Sequence, residues 1–155
     1  MSARLKLRIE LVPATCWRKN LRTQMKESQW KKLRKEVCEK QGNVCCICGS
    51  DYRLNCHEVW SYDDLRHIQK LTGFEAVCGM CHQLTHFGLA EILAGQNQLD
   101  LEAVIQHFLT VNGVDRDAFN AHKKEASKIY NERSKHYWHL DLGEWASLVN
   151  QKPLP

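Results

Sequence analysis

A chain of 155 residues, 43% hydrophobic and 26% charged, is long enough to bury one core and too apolar to stay disordered. It is too long and too charged for a small disulfide-stapled secreted scaffold, its start Met1-Ser2-Ala3-Arg4-Leu5-Lys6 carries no apolar leader, and no run approaches a membrane span. The eight cysteines therefore read as metal ligands and buried thiols of a cytoplasmic chain.

The net charge of +4 hides an asymmetry: residues 1–40 hold 12 Lys/Arg and 4 Asp/Glu, a balance of +8, and residues 41–155 hold 10 and 14, a balance of −4. A basic N-terminal third suggests a surface facing a polyanion, the alternative being a solvated helix face. Residues 4–11 alternate in period two and predict a half-buried strand, ended by Pro13. Ser28 is the expected cap of a helix with Trp30, Leu33 and Val37 on one face and Gly42 beyond its last turn. Its other face carries Lys31, Lys32, Arg34 and Lys35, the candidate phosphate contacts. Residues 53–62 suit a strand, Asp63-Asp64 a turn and 66–72 a returning strand, with a short helix on Leu65, Ile68 and Leu71 as the rival. A two-residue turn would set His67 across from Trp60. A helix is expected from Met80 to Ala94, closed by Gly95. Asp100 opens the next, with Gly113 as its stop, and Asp115 or Asp117 opens a longer one to about Lys135. Tyr137–Leu142 reads as a strand pairing with residues 4–11, and Glu144–Asn150 as a terminal helix. No repeat or low-complexity linker divides the chain, so one α+β domain is expected.

Two Cys-x-x-Cys pairs carry the chemistry. Cys45 with Cys48 and Cys78 with Cys81 have the knuckle spacing at which two sulfurs bind one tetrahedral zinc. Four protein ligands close such a site, so the zinc should be structural. Directly after the second knuckle, His82 and His86 stand four apart, on one helix face, and His57 is available from the strand opposite. Imidazoles so placed can grip one divalent cation. Cys16, Cys38, Cys46 and Cys56 read as buried thiols, His107, His122, His136 and His139 as ordinary surface or core residues, and the five tryptophans as core anchors, any exposed one beside Lys/Arg being a candidate for stacking on a base.

Strand, knuckles and helix together resemble the HNH nuclease family, whose fold is the ββα-metal motif. The matching stretch is Cys45-x2-Cys48, then Cys56-His57-Glu58-Val59-Trp60, then Cys78-x2-Cys81-His82-x3-His86, about residues 44–88. The flanks Leu11-Val12-Pro13-Ala14-Thr15-Cys16-Trp17 and Trp138-His139-Leu140-Asp141-Leu142 are similar to a bacterial and phage subgroup. The resemblance implies a zinc-braced core with added N- and C-terminal helices and a short edge sheet. It also implies phosphodiester hydrolysis in DNA with one divalent cation, Mg2+, Mn2+, Ni2+ or Zn2+, and His82 and His86 as helix ligands. Aligned on Val59, His57 is the strand ligand and Glu58 holds the base position. Shifted by one, His57 is the base and Cys56 the ligand. The family's Asn position falls on Gly73. The alternatives are a zinc-braced nucleic-acid-binding module without the chemistry, or a protein-interaction role for helices 100–135.

Overall fold

The stretch between the two cysteine pairs builds the centre of the molecule. In the computed structural model, which describes residues 4–149, β1 (Asn55–Asp63) and β2 (Ile68–Val77) form an antiparallel hairpin. The return is a strand and not a helix: Gln69 and Leu71 are buried while Lys70 and Thr72 are exposed, the alternation of a pleated strand. The turn spans four residues, because Asp63 Oδ1 accepts from the N–H groups of Leu65 and Arg66 at 3.1 and 2.9 Å and His67 takes a left-handed φ of 53°. His67 therefore lies at the hairpin tip, stacked on His136, while Trp60 pairs with Leu71. The register slips between Val59 and Trp60, leaving Thr72 as the extra residue of a bulge, its hydroxyl donating to the Val59 carbonyl at 3.0 Å.

Successive side chains of β1 leave opposite faces of the hairpin. Cys56 and Leu71 pack with Leu21 of α1 (Leu21–Gln24), with Met25 just after it, and with Trp30 of α2 (Glu27–Lys40). The other face meets a core of Leu84, Phe87, Val104, Phe108 and Phe119. These come from α3 (Gly79–Thr85), α4 (Phe87–Gly95), α5 (Leu101–Asn112) and α6 (Arg116–Arg133). Asp100 and Asp115 cap α5 and α6, accepting from Ala103 and Ala118 N–H at 3.2 and 2.9 Å, and Gly113 ends α5 at φ 62°. No helix among the described residues is long and apolar enough to cross a membrane.

Five expectations are corrected. The α2 helix begins at Glu27, with Lys26 at the cap position; Ser28 sits inside the first turn, because Lys26 already accepts from Trp30 N–H at 3.0 Å. The helix expected over 80–94 breaks at His86 (φ −95°, ψ 53°). There the Thr85 hydroxyl donates back to the Cys81 carbonyl at 2.9 Å, a bond that bends helices, and the Thr85 carbonyl accepts from Glu10 N–H at 2.9 Å. Residues 4–11 keep their alternation, with Leu7 and Ile9 buried, but join no sheet. Side chains take over the pairing: Asn112 Oδ1 accepts from Lys6 and Leu7 N–H at 2.8 and 3.0 Å, Asn112 Nδ2 donates to the Leu7 carbonyl at 2.9 Å, and His122 Nε2 accepts from Ile9 N–H at 2.9 Å. Consequently β3 (His139–Asp141) pairs in parallel with β2, guided by the buried Trp138, whose indole donates to the Arg133 carbonyl at 2.9 Å. A 3-10 helix over Gly143–Leu148 replaces the expected terminal helix, whose last residue Asn150 lies outside the described residues.

Candidate metal centre

The first knuckle is a loop and the second is the entry to α3, and the hairpin between them returns one to the other. The Sγ atoms of Cys45, Cys48, Cys78 and Cys81 all lie within 4.8 Å of one another, Cys48 and Cys78 at 3.6 Å. Sulfurs around a tetrahedral zinc are about 3.8 Å apart, given Zn–S bonds of about 2.3 Å. Burial raises the Cys45 thiol, but backbone N–H groups of Cys48, Cys78 and Ile47 outweigh it and hold the group at about 7. Cys78 and Cys81 are pushed up, by burial first and then by neighbouring sulfurs. Crowded, buried thiols that resist ionising together are the donor set a divalent cation satisfies. The four cysteines could thus hold a metal ion such as zinc.

His82 follows Cys81 directly, and His86 stands at the break where α3 ends. Together with His57 from β1, their ring nitrogens fall within 4.8 Å of one another. His57 lies 5.2 Å from His86 and 5.6 Å from His82 between ring centroids, and His82 lies 4.7 Å from His86, all edge to face. Burial, then the neighbouring imidazoles, depresses His57 to about 3; burial and His86 depress His82 to about 4; burial lowers His86. All three rings are neutral near pH 7, the form that ligates a cation. The cluster borders a cavity of about 310 Å³, with His57, His86, Glu58 and Tyr62 in its walls and Arg8 and Arg133 beside them. Arg133 lies over the Tyr62 ring at 4.4 Å and is held by Asp64 through two bonds of 2.9 and 3.1 Å.

Glu58 stands apart from the imidazole cluster. Its Oε1 accepts from Arg22 N–H at 3.0 Å, at the N-terminus of α1, and burial raises its carboxyl despite that donor. Lys31, Lys32, Arg34 and Lys35 are exposed on α2, but not equally available. Arg34 donates to the Leu54 carbonyl at 2.7 and 3.2 Å, tying α2 to the approach of β1. Lys31 and Lys35 make only exposed, weak pairs with Glu27 and Glu39, at 3.4 and 3.9 Å. Gly73, opposite Val59, has open space where a side chain would project.

Two expectations about single residues fail. Cys46 is exposed rather than buried, because adjacent residues of the knuckle turn their sulfurs to the cluster. Trp17 is 58% exposed, held at the surface by its indole bond to the Val12 carbonyl at 3.0 Å. One residue of the centre was not anticipated: His107 of α5, whose Nε2 stands 3.1 Å from Cys81 Sγ. It lies 26 positions from that cysteine in an ordinary amphipathic helix, so no spacing rule marks it. Comparison with known protein families, with curated proteins and with solved structures returns no match.

Proposed function

We propose that the chain is a metal-dependent nuclease of the HNH type, hydrolysing phosphodiester bonds in DNA. The observation that carries this reading is the convergence of His57, His82 and His86 beside a four-thiol brace, at the wall of a cavity that also presents two arginines. A divalent cation bound there would stabilise negative charge on phosphate oxygens and polarise an attacking water. His57 then serves as a ligand, which supports the alignment on Val59 and leaves Glu58 as the candidate proton acceptor. A carboxyl raised by burial suits that role. Arg8, exposed at the cavity, would meet the substrate phosphate. Lys31, Lys32 and Lys35 would contact the flanking backbone, with Trp17, beside Arg18 and Lys19, stacking on an unpaired base.

The test is incubation of zinc-loaded protein with plasmid, single-stranded DNA and RNA, adding Mg2+, Mn2+, Ni2+ or Zn2+ separately. Cleavage of DNA is expected, abolished in His57→Ala and strongly reduced in His82→Ala and His86→Ala, with the thiol-bound zinc retained. Glu58→Gln should lose most of its rate while keeping the added cation. Absence of cleavage with every metal, together with tight binding, would sink the enzyme and leave a nucleic-acid-binding module. That second reading has one observation in its favour: the Glu58 carboxylate is already engaged by Arg22 N–H. Binding in either case should weaken steeply with salt, and reversing Lys31, Lys32 and Lys35 to Glu should flatten that slope.

A further inference from the structure

We propose that His107 is the hydrogen-bond donor that holds the Cys81 thiolate in place, making α5 a working part of the thiol metal centre. This rests on the four-cysteine site and is independent of the nuclease reading. Cys81 is the deepest of the four cysteines, at 0% exposure. A thiolate bound to one cation keeps further lone pairs, and a buried one has no water to satisfy them. Two of the other sulfurs are served by nearby backbone, Ile47 N–H reaching Cys45 Sγ and Cys81 N–H reaching Cys78 Sγ, both at 3.4 Å, and the third, Cys48, is only partly buried. Among the described residues, the side chain that reaches Cys81 Sγ is His107, with Nε2 at 3.1 Å.

The position of that ring is over-determined. Val104, Ile105 and Phe108, on the same helix, are buried in the core that includes Cys81 and Leu84. A metal-bound thiolate carries no proton, so Nε2 must carry it, which fixes the ring's tautomer. An N–H···S bond of this kind disperses charge from the sulfur, orients it toward the ion and makes it a poorer nucleophile. Partners in this position are typically worth about 10- to 100-fold in metal affinity. His107 is thus a positioning residue, acting through Cys81.

Two variants of similar bulk separate donor from filler. His107→Gln places an amide N–H near the sulfur; His107→Phe fills the space with no donor. Both are purified with zinc, their fold is checked by circular dichroism, and zinc transfer to a chromophoric chelator is timed. Iodoacetamide labelling of the zinc-loaded proteins is mapped by mass spectrometry. The expected result is release about 10- to 100-fold faster in His107→Phe, with Cys81 the first cysteine labelled, and near-parental behaviour in His107→Gln. Equal release from the two variants, or labelling of Cys81 unchanged in His107→Phe, overturns the proposal. Cobalt substitution adds an independent check. Parent and His107→Phe should share the ligand-field bands of four sulfurs, and loss of a nitrogen ligand on substitution would make His107 a ligand and refute the donor role.

Discussion

Replacing Asn112 by Ala removes the device that holds the N-terminal segment without a sheet. Its side chain makes three bonds to Lys6 and Leu7 backbone groups. Lys6 is exposed, and its N–H will find water when the amide is gone. Leu7 is 0% exposed, so its N–H and carbonyl are left stranded unless the segment peels away. Two lost bonds at about 0.5–1.5 kcal/mol each, plus at least about 1–3 kcal/mol for stranded polar groups, give a loss of roughly 4 kcal/mol. Relief by peeling would lower that figure and would instead expose Arg4, Lys6 and Arg8 to trypsin. The assay is therefore double: urea unfolding for the free energy, and limited trypsinolysis under native conditions for the segment. Asn112→Asp keeps the acceptor for the two N–H groups and should lose less than Asn112→Ala. A loss below about 0.5 kcal/mol in Asn112→Ala, with trypsin sensitivity unchanged, would mean that Leu7 and Ile9 are held by apolar packing alone.

Cys45→Ser should lose the thiol-bound zinc and the cooperative thermal transition together, read by elemental analysis and calorimetry; a zinc-free variant that unfolds like the parent would contradict the brace. Gly95, exposed at the last position of α4 with nothing near its open side, should accept Ala with a gain of up to about 1 kcal/mol in urea unfolding, since its backbone is not left-handed. Ni2+ binding to zinc-loaded protein should weaken by no more than the protonation of the one ring His86, itself lowered by burial, between pH 7 and 5.5, measured by titration calorimetry. With His57 at about 3 and His82 at about 4, neither ring carries a proton for the ion to displace in that range. Two ordinary imidazoles near 6.5 would weaken binding roughly 70-fold over the same interval, and a loss of that size would show that the rings are more hydrated than their burial indicates.

The thiol centre was legible because Cys-x-x-Cys is a local geometry: the spacing alone sets two sulfurs on one turn. Asp100, Gly113 and Asp115 were legible for the same reason, since caps act within one turn of their own chain. The alternation at residues 4–11 correctly marked Leu7 and Ile9 as inward, but alternation records which side is buried and not what the backbone pairs with. Asn112 and His122, more than a hundred positions away, supply that answer. The break at His86 was hidden similarly, because apolar spacing runs on through α4 and the interruption comes from Thr85 and the distant Glu10. The sequence allows His57 to be strand ligand or base, and only the hairpin's register against α3 brings its ring to His82 and His86.

The helix α3 serves both clusters: it supplies Cys81 to one and His82 to the other, neighbours in the chain. That adjacency implies an order of assembly. Drawing Cys48 to Cys78 closes a loop of 30 positions, whose length-dependent entropy is about 3 kcal/mol. The same closure carries His57 to the imidazoles of α3, so the histidine cluster inherits its geometry without a second closure of comparable cost. An ion filling the thiols would thus set the imidazoles in place, and stripping it from the thiols would scatter the histidine cluster with none of that cluster's own residues changed.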